Sequence, residues 1–107
     1  MSARRFSRPL GVHAWQVQGE LCFEQVLDLR EEDRFVRGHI PGSVLVPYRE
    51  VQVRAAGLVD RSRPVLLVDP GGARAAEMAV FMRGLGFEAS YLEGGLSRWP
   101  GPWETGR

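Results

Sequence analysis

The sequence predicts an α/β fold, a single doubly wound domain with a central parallel five-stranded sheet and helices on both faces. Three observations carry that expectation. Short β-branched or apolar runs alternate with helix-like runs along the whole chain, the pattern of a parallel sheet covered by crossover helices. Glycines stand where helices should stop, at Gly38, Gly57 and Gly84-Leu85-Gly86. The length of 107 residues suits one domain with one core that needs neither metals nor disulfides.

Residues 1–11 are expected to form an N-terminal extension, 12–103 the domain and 104–107 a tail. Arg4, Arg5 and Arg8 make the extension basic, as befits a solvated terminus. The first strand is expected over Val12 to Val17. The stretch from Gln16 to Gln25 is short for a crossover helix and reads as an irregular turn or a helix of under two turns. Further strands are expected at Val26 to Leu29, Val44 to Val46, Val65 to Val68 and Ala89 to Leu92, and helices at Glu31 to Val36, near Tyr48 to Ala56, and at Ala75 to Leu85. The fourth strand is the most distinct, because Pro64-Val65-Leu66-Leu67-Val68 is continuously apolar and is bounded by Arg63-Pro64 and Pro70-Gly71. The helix after it places Ala75, Met78, Ala79, Met82 and Leu85 at helical spacing.

Asp69-Pro70-Gly71-Gly72-Ala73-Arg74 lies between that strand and that helix. A loop from a strand's C-terminal end to a helix N-terminus sits where ligands bind in open α/β sheets. Free backbone N–H groups and the helix dipole make such a loop an anion cradle, and glycines at 71 and 72 let the backbone curl around a common centre.

Composition narrows the function classes. A hydrophobic fraction of 44% and a charged fraction of 25% are those of an ordinary soluble protein. The net charge of only +1 gives no bulk attraction to nucleic acid or membrane, and neither is expected as a partner. Trp15, Trp99 and Trp103 are not interleaved with a basic stripe, so packing in the core or at the terminus is their default, with Trp99 to Trp103 either folded over the sheet edge or exposed as a partner site. No apolar stretch is long enough to span a bilayer and no signal-peptide core is visible, so the cytoplasm is the expected location. Cys22, the single cysteine, has no partner for an internal disulfide and is expected as a buried structural residue. His13, His39 and Cys22 make no zinc spacing, and no metal or cofactor is expected. The loop lacks the Gly-Lys-Ser/Thr ending of a nucleotide-binding loop, and no Gly-x-Ser-x-Gly elbow is present. All basic residues are arginine, and lysine and asparagine are absent, a bias that suggests a GC-rich genome and suits a thermophile.

Four ordered segments together resemble the rhodanese-like domain family. They are Val26-Leu27-Asp28-Leu29-Arg30-Glu31; Phe35-Val36-Arg37-Gly38-His39-Ile40-Pro41-Gly42-Ser43; the loop Asp69 to Arg74; and Tyr91-Leu92-Glu93-Gly94-Gly95-Leu96-Ser97-Arg98-Trp99. The resemblance covers about residues 12 to 103. It implies a small doubly wound domain and, for the family's enzymes, transfer of sulfane sulfur through a cysteine persulfide held in a Cys-x-x-Gly-x-Arg loop. That chemistry needs a thiolate, because the sulfur must attack a donor and then leave again. With Gly72 and Arg74 matched to the loop glycine and arginine, Asp69 stands where the cysteine belongs. Ala75 stands where a serine is common. The six-residue loop has the sulfur-handling length rather than the longer phosphatase length.

A carboxylate at position 69 cannot carry a transferable sulfur. Asp69 is expected to accept N–H bonds from residues near Gly71 to Ala73 as a cap or nest filler. An anion-repelling gate or partner contact, and a catalytic aspartate, are the other two roles open to it. Arg74 is expected either to pair with a loop carboxylate, Asp69 among them, or to bind an anion through its planar fork. Asp28 and Arg30 are expected to tie neighbouring turns as an ion pair or to reach the loop, and His39 to fix a tight turn rather than act as a base. The whole chain is thus expected to be a binding or regulatory module without persulfide catalysis, with another protein or a small anion as partner at residues 69–75. The alternative is a sulfurtransferase or sulfur carrier, related to thiosulfate sulfurtransferase, that uses Cys22 or a partner's thiol.

Overall fold

Five strands, β1 (Gly11–Val12), β2 (Gln25–Asp28), β3 (Val44–Leu45), β4 (Val65–Val68) and β5 (Ala89–Leu92), build a parallel sheet in the order β1-β5-β4-β2-β3. The computed structural model describes residues 6–107, so Arg4 and Arg5 of the basic extension lie outside the described residues. In chain order the elements are β1 (Gly11–Val12), α1 (Ala14–Val17), β2 (Gln25–Asp28), α2 (Glu32–Arg37), β3 (Val44–Leu45), α3 (Val51–Arg54), β4 (Val65–Val68), α4 (Ala73–Gly84) and β5 (Ala89–Leu92). Short 3-10 turns at Tyr48–Glu50 and Ala55–Gly57 flank α3, and a third spans Leu96–Arg98.

The two faces of the sheet bury different side chains, as alternation along a strand requires. Leu27, Val65, Leu67 and Ala89 face α3 and α4 and pack with Val51, Ala55, Ala75, Met78, Ala79, Met82 and Phe87. Val12, Val26, Leu66, Val68 and Leu92 face the other way, toward Ala14 and Val17 of α1 and toward Ile40, Leu96 and Trp99. All four residues of β4 are buried, which is why that strand reads as an unbroken apolar run. The spacing of Ala75, Met78, Ala79 and Met82 is the one buried stripe of α4.

The start of the domain differs from the expected strand over Val12 to Val17. Only Gly11–Val12 pairs with β5, after which the Gln16 side chain accepts the His13 N–H at 2.8 Å and the chain turns into α1, a single turn. A local side-chain bond to a free backbone donor here outcompetes continued strand pairing. Residues 6–9, the described part of the extension that makes these contacts, are docked rather than solvated. Ser7 and Arg8 donate backbone N–H bonds to Glu88, Ser90 Oγ donates to the Pro9 carbonyl, and Arg83 donates to the Arg8 carbonyl while its guanidinium covers the Phe6 ring. The Arg8 guanidinium itself stacks on Phe23.

The C-terminal residues return to α2. His39 and Glu104 exchange backbone N–H bonds at 2.8 Å each, and Gly106 N–H donates to the Val36 carbonyl. Trp99 is buried with its indole N–H on the Pro102 carbonyl, whereas Trp103 stays 45% exposed against Gly38. Trp15 departs from its packing expectation and is 67% exposed, because α1 is too short to bring a second face of side chains onto the sheet.

Candidate functional site

The in-register pairing of β2 with β4, from Gln25 opposite Val65 to Asp28 opposite Val68, brings their C-terminal ends to one edge. There the chain leaves β4 through Asp69 and enters α4 at Ala73, with Gly72 as the N-cap residue. Asp69 is only 4% exposed. Its carboxylate accepts the Gly72 N–H at 2.6 Å and the Arg74 N–H at 3.1 Å, so it sits inside the curl of the loop and satisfies donors that a helix start leaves open. One bond falls on Gly72, within the expected stretch from Gly71 to Ala73, and the other on Arg74, one residue beyond it.

The loop rests on the turn after β5. Leu96 N–H donates to the Asp69 carbonyl at 2.8 Å and Ser97 N–H to the Pro70 carbonyl at 3.1 Å. Gly95 (φ 68°) makes this approach feasible, since a Cβ there would lie 2.3 Å from the Pro70 oxygen. Gly72 (φ 101°) is held from the same side, with the Leu92 carbonyl 3.2 Å from where its Cβ would be. The Glu-Gly-Gly segment is therefore the floor on which residues 69–72 are moulded.

Arg74 does not pair with Asp69. Its guanidinium lies over the Tyr48 ring at 4.6 Å and makes no ion pair with a described residue. The two carboxylate oxygens of Asp69 are already taken by backbone N–H groups, and the arginine side chain points outward from an exposed position on the first turn of α4. The Tyr48 hydroxyl donates to Glu77 at 2.6 Å, and that bond raises the Tyr48 pKa. Pro70, Gly71 and Ala73 are exposed, and Ala75 is buried against the core.

Asp28 and Arg30 form a bidentate pair beside the loop, Nε to Oδ1 at 3.0 Å and an Nη to Oδ2 at 2.8 Å, with the Asp28 side chain fully buried. Arg30 also donates to the Gly38 carbonyl at 2.7 Å and so ties the end of β2 to the end of α2. His39 is buried against Phe35 with ring centroids 3.8 Å apart. Its Nδ1 lies 2.8 Å from the Phe35 carbonyl, for which it must be the donor, and its Nε2 lies 3.2 Å from Glu104. The Nδ1 bond to the Phe35 carbonyl and the stacking on the Phe35 ring hold the turn.

Cys22 is exposed, contrary to the expectation of a buried structural thiol. It lies in the loop between α1 and β2, where Leu21 and Phe23 fill the gap under the sheet and turn the intervening side chain outward. It precedes β2 and Asp69 follows β4, so the two stand at opposite ends of strands about 10 Å long at 3.3 Å per residue. The thiol and the loop are not one site.

An open cleft of about 480 Å³ adjoins the loop, lined by Gly71, Gly72, Ala73, Tyr91, Glu93 and Arg98 together with His13. His13 Nε2 is 3.0 Å from a Glu93 oxygen, and burial beside the Glu93 charge raises the Tyr91 pKa. Sequence reasoning missed Glu93, Arg98 and His13 here. Glu93 and Arg98 flank the Gly94-Gly95 segment and were legible as neighbours of the loop's floor, whereas His13 carries no sequence signal. Among the described residues no three His, Cys, Asp or Glu side chains are grouped to hold a metal ion, and no helix is long and apolar enough to cross a membrane.

Comparison with known proteins agrees with this architecture. The chain is 33% identical over 79 residues to the uncharacterized protein YibN of Escherichia coli K12, a match covering 71% of the chain and 55% of YibN, so the chain spans about half the length of the curated relatives it matches. Its fold is similar to that of a rhodanese-related protein from Thermoplasma volcanium, with a TM-score of 0.80, 24% identity and coverage of 88% of this chain and 96% of the other. A rhodanese-like domain from Anabaena superposes with a TM-score of 0.78 at 27% identity, covering 92% and 80% of the two chains. With the rhodanese-like domain model matching residues 12–101 on top of the five-stranded parallel sheet and the moulded loop after β4, the chain belongs to the rhodanese-like domain family.

Proposed function

We propose that this rhodanese-like domain does not carry a persulfide on its loop and acts as a binding or regulatory module, in the cytoplasm, with its recognition surface at residues 69–75 and their rim. The observation that carries this is the carboxylate of Asp69, nine-tenths and more buried, taking the Gly72 and Arg74 N–H groups at 2.6 and 3.1 Å. Those donors face the position from which a thiolate would have to attack. A carboxylate oxygen does not displace sulfite from thiosulfate to hold a sulfane sulfur, and an internal anion in the cradle disfavours entry of a second. A fold alone does not fix an activity once its nucleophile is replaced.

A second reading is supported by the exposed thiol of Cys22. There the thiolate would attack the sulfane sulfur of a donor, the donor's S–S bond would break with sulfite as leaving group, and a persulfide would form at the N-terminal edge of the sheet. One experiment separates the two. The intact mass is measured after incubation with thiosulfate or a persulfide donor, and again after cyanide, for the native chain, Cys22→Ser and Asp69→Cys. The module reading expects no cyanide-removable sulfur on the native chain and its appearance on Asp69→Cys. A sulfur gained by the native chain and lost in Cys22→Ser overturns it.

A further inference from the structure

We propose that the groove between α2 and Trp103, at the rim of the Asp69 loop, docks an acidic peptide segment of a partner protein; this names the partner class of the binding-module reading and rests on it. Arg30, Arg34, Arg37, Gly38 and Trp103 line an open groove of about 540 Å³. A smaller adjoining depression, lined by Arg30, Arg34 and Trp103 with Pro70, Leu96 and Ser97, carries the groove to the edge of the loop. Three guanidinium groups thus border one continuous surface, and no acidic side chain lines it.

The charge of Arg34 and Arg37 is uncompensated, a state they share among the described arginines with Arg8, Arg61, Arg74 and Arg98. The net charge is only +1, and Arg49, Arg54, Arg63 and Arg107 each sit within ion-pair distance of a carboxylate. Arg30 spends its charge on buried Asp28, which fixes its position on the groove floor. Arg34 and Arg37 are exposed, three residues apart on α2, and neither makes an ion pair with a described residue. A row of carboxylates on an extended chain supplies what these two lack, and planar guanidinium groups bind carboxylates through paired hydrogen bonds.

Trp103 distinguishes a peptide from a small anion. It is 45% exposed, yet its backbone is held by the Glu104 pairing with His39 and its ring rests on Gly38, so a flat apolar surface is presented already ordered beside the charges. An inorganic anion has no use for such a surface, whereas an acidic segment carrying an apolar side chain uses both, and Trp and Arg dominate the affinity of protein interfaces. The basic surface is also confined to one short helix and one aromatic, unlike the extended stripe with several stacking rings that single-stranded nucleic acid requires.

The test is fluorescence anisotropy of a labelled short Glu/Asp peptide containing leucine and phenylalanine, titrated with the full chain at low and at physiological ionic strength. Saturable, salt-weakened binding is expected, reduced at least about tenfold by Arg34→Glu with Arg37→Glu, reduced also by Trp103→Ala, and absent for the same peptide with lysine in place of its acids. Circular dichroism melts confirm that each variant is folded, and Arg34→Gln with Arg37→Gln serves if charge reversal unfolds the chain. Absence of saturable binding, binding that the double variant leaves unchanged, or equally tight and equally sensitive binding of a single-stranded oligonucleotide overturns the inference. The mass assay run on the same preparation reports on the parent reading separately: no peptide binding with no acquired sulfur removes only the acidic-peptide proposal, while acquired sulfur on the native chain removes the module reading itself.

Discussion

Replacing Asp69 by alanine removes the acceptor on which the whole loop is wound, and its cost follows from the two bonds it breaks. A hydrogen bond to a charged group is worth about 1.5–3 kcal/mol net. The two bonds are unequal in consequence. The Gly72 N–H at 2.6 Å belongs to a buried residue and is left without an acceptor, whereas the Arg74 N–H belongs to an exposed residue on the first turn of α4 and regains water. Removing the carboxylate also abolishes its own desolvation, which offsets part of the loss. The expected destabilisation is therefore about 2 kcal/mol, and at about 4–8 °C per kcal/mol for a domain of this size the melting temperature should fall by about 8–16 °C. Asp69→Asn keeps an oxygen for Gly72 but turns an N–H₂ group toward the Arg74 N–H, so it should lie about halfway. Urea unfolding followed by circular dichroism measures all three chains, and an unchanged m-value shows that the native state rather than the unfolded ensemble was altered. A loss below about 0.5 kcal/mol for Asp69→Ala would mean that the carboxylate does not hold the loop.

Three further outcomes are expected. Arg30→Ala leaves the fully buried Asp28 carboxylate without its bidentate partner and should destabilise the chain by about 3 kcal/mol in the same urea assay; a loss under about 1 kcal/mol would show that solvent reaches Asp28. Gly95→Ala forces an L side chain at φ 68° and sets a Cβ against the Pro70 carbonyl, so destabilisation of at least about 2 kcal/mol is expected, with retention of native stability counting against the moulded loop. Tyr48 and Tyr91 both have raised pKa values, Tyr48 chiefly through its bond to Glu77 and Tyr91 chiefly through burial. Because the folded state holds these protons longer than the unfolded state, their contribution is fully present below about pH 10 and is lost as pH rises through the folded values. Absorbance titration of tyrosinate should therefore show both phenols ionising later in the folded chain than in denaturant, and coincident curves would contradict the described contacts.

Much of the architecture was legible because it rests on burial. β4 is buried on both faces and reads as a continuous apolar run, and α4 shows its stripe at Ala75, Met78, Ala79 and Met82. The position of Asp69 at the edge of the sheet followed from those two elements, since a strand and a helix so placed leave little freedom to the residues between them. β1 was misjudged because Val12, Ala14 and Val17 are apolar in a pattern that a strand and a single helical turn share, and one Gln16 side-chain bond decided between them. Cys22 and Trp15 were assigned inward from residue type alone, yet each lies on a segment too short to cover its own side chains. The Arg74 contact with Tyr48 and the His13 contact with Glu93 join residues distant in the chain, and neither has a local pattern from which it could be read.

The short Asp69 contact to Gly72 has a consequence for how the domain answers to its surroundings. A side chain three residues away from its own binding site is a tethered occupant, and a dissolved anion competes with it only by first displacing a group that never diffuses away. Under the proposed module reading, the state of the cradle is set by the chain and not by the concentration of small anions around it. Under that reading, the outer surface of the loop keeps its shape and charge while the concentrations of small anions rise and fall.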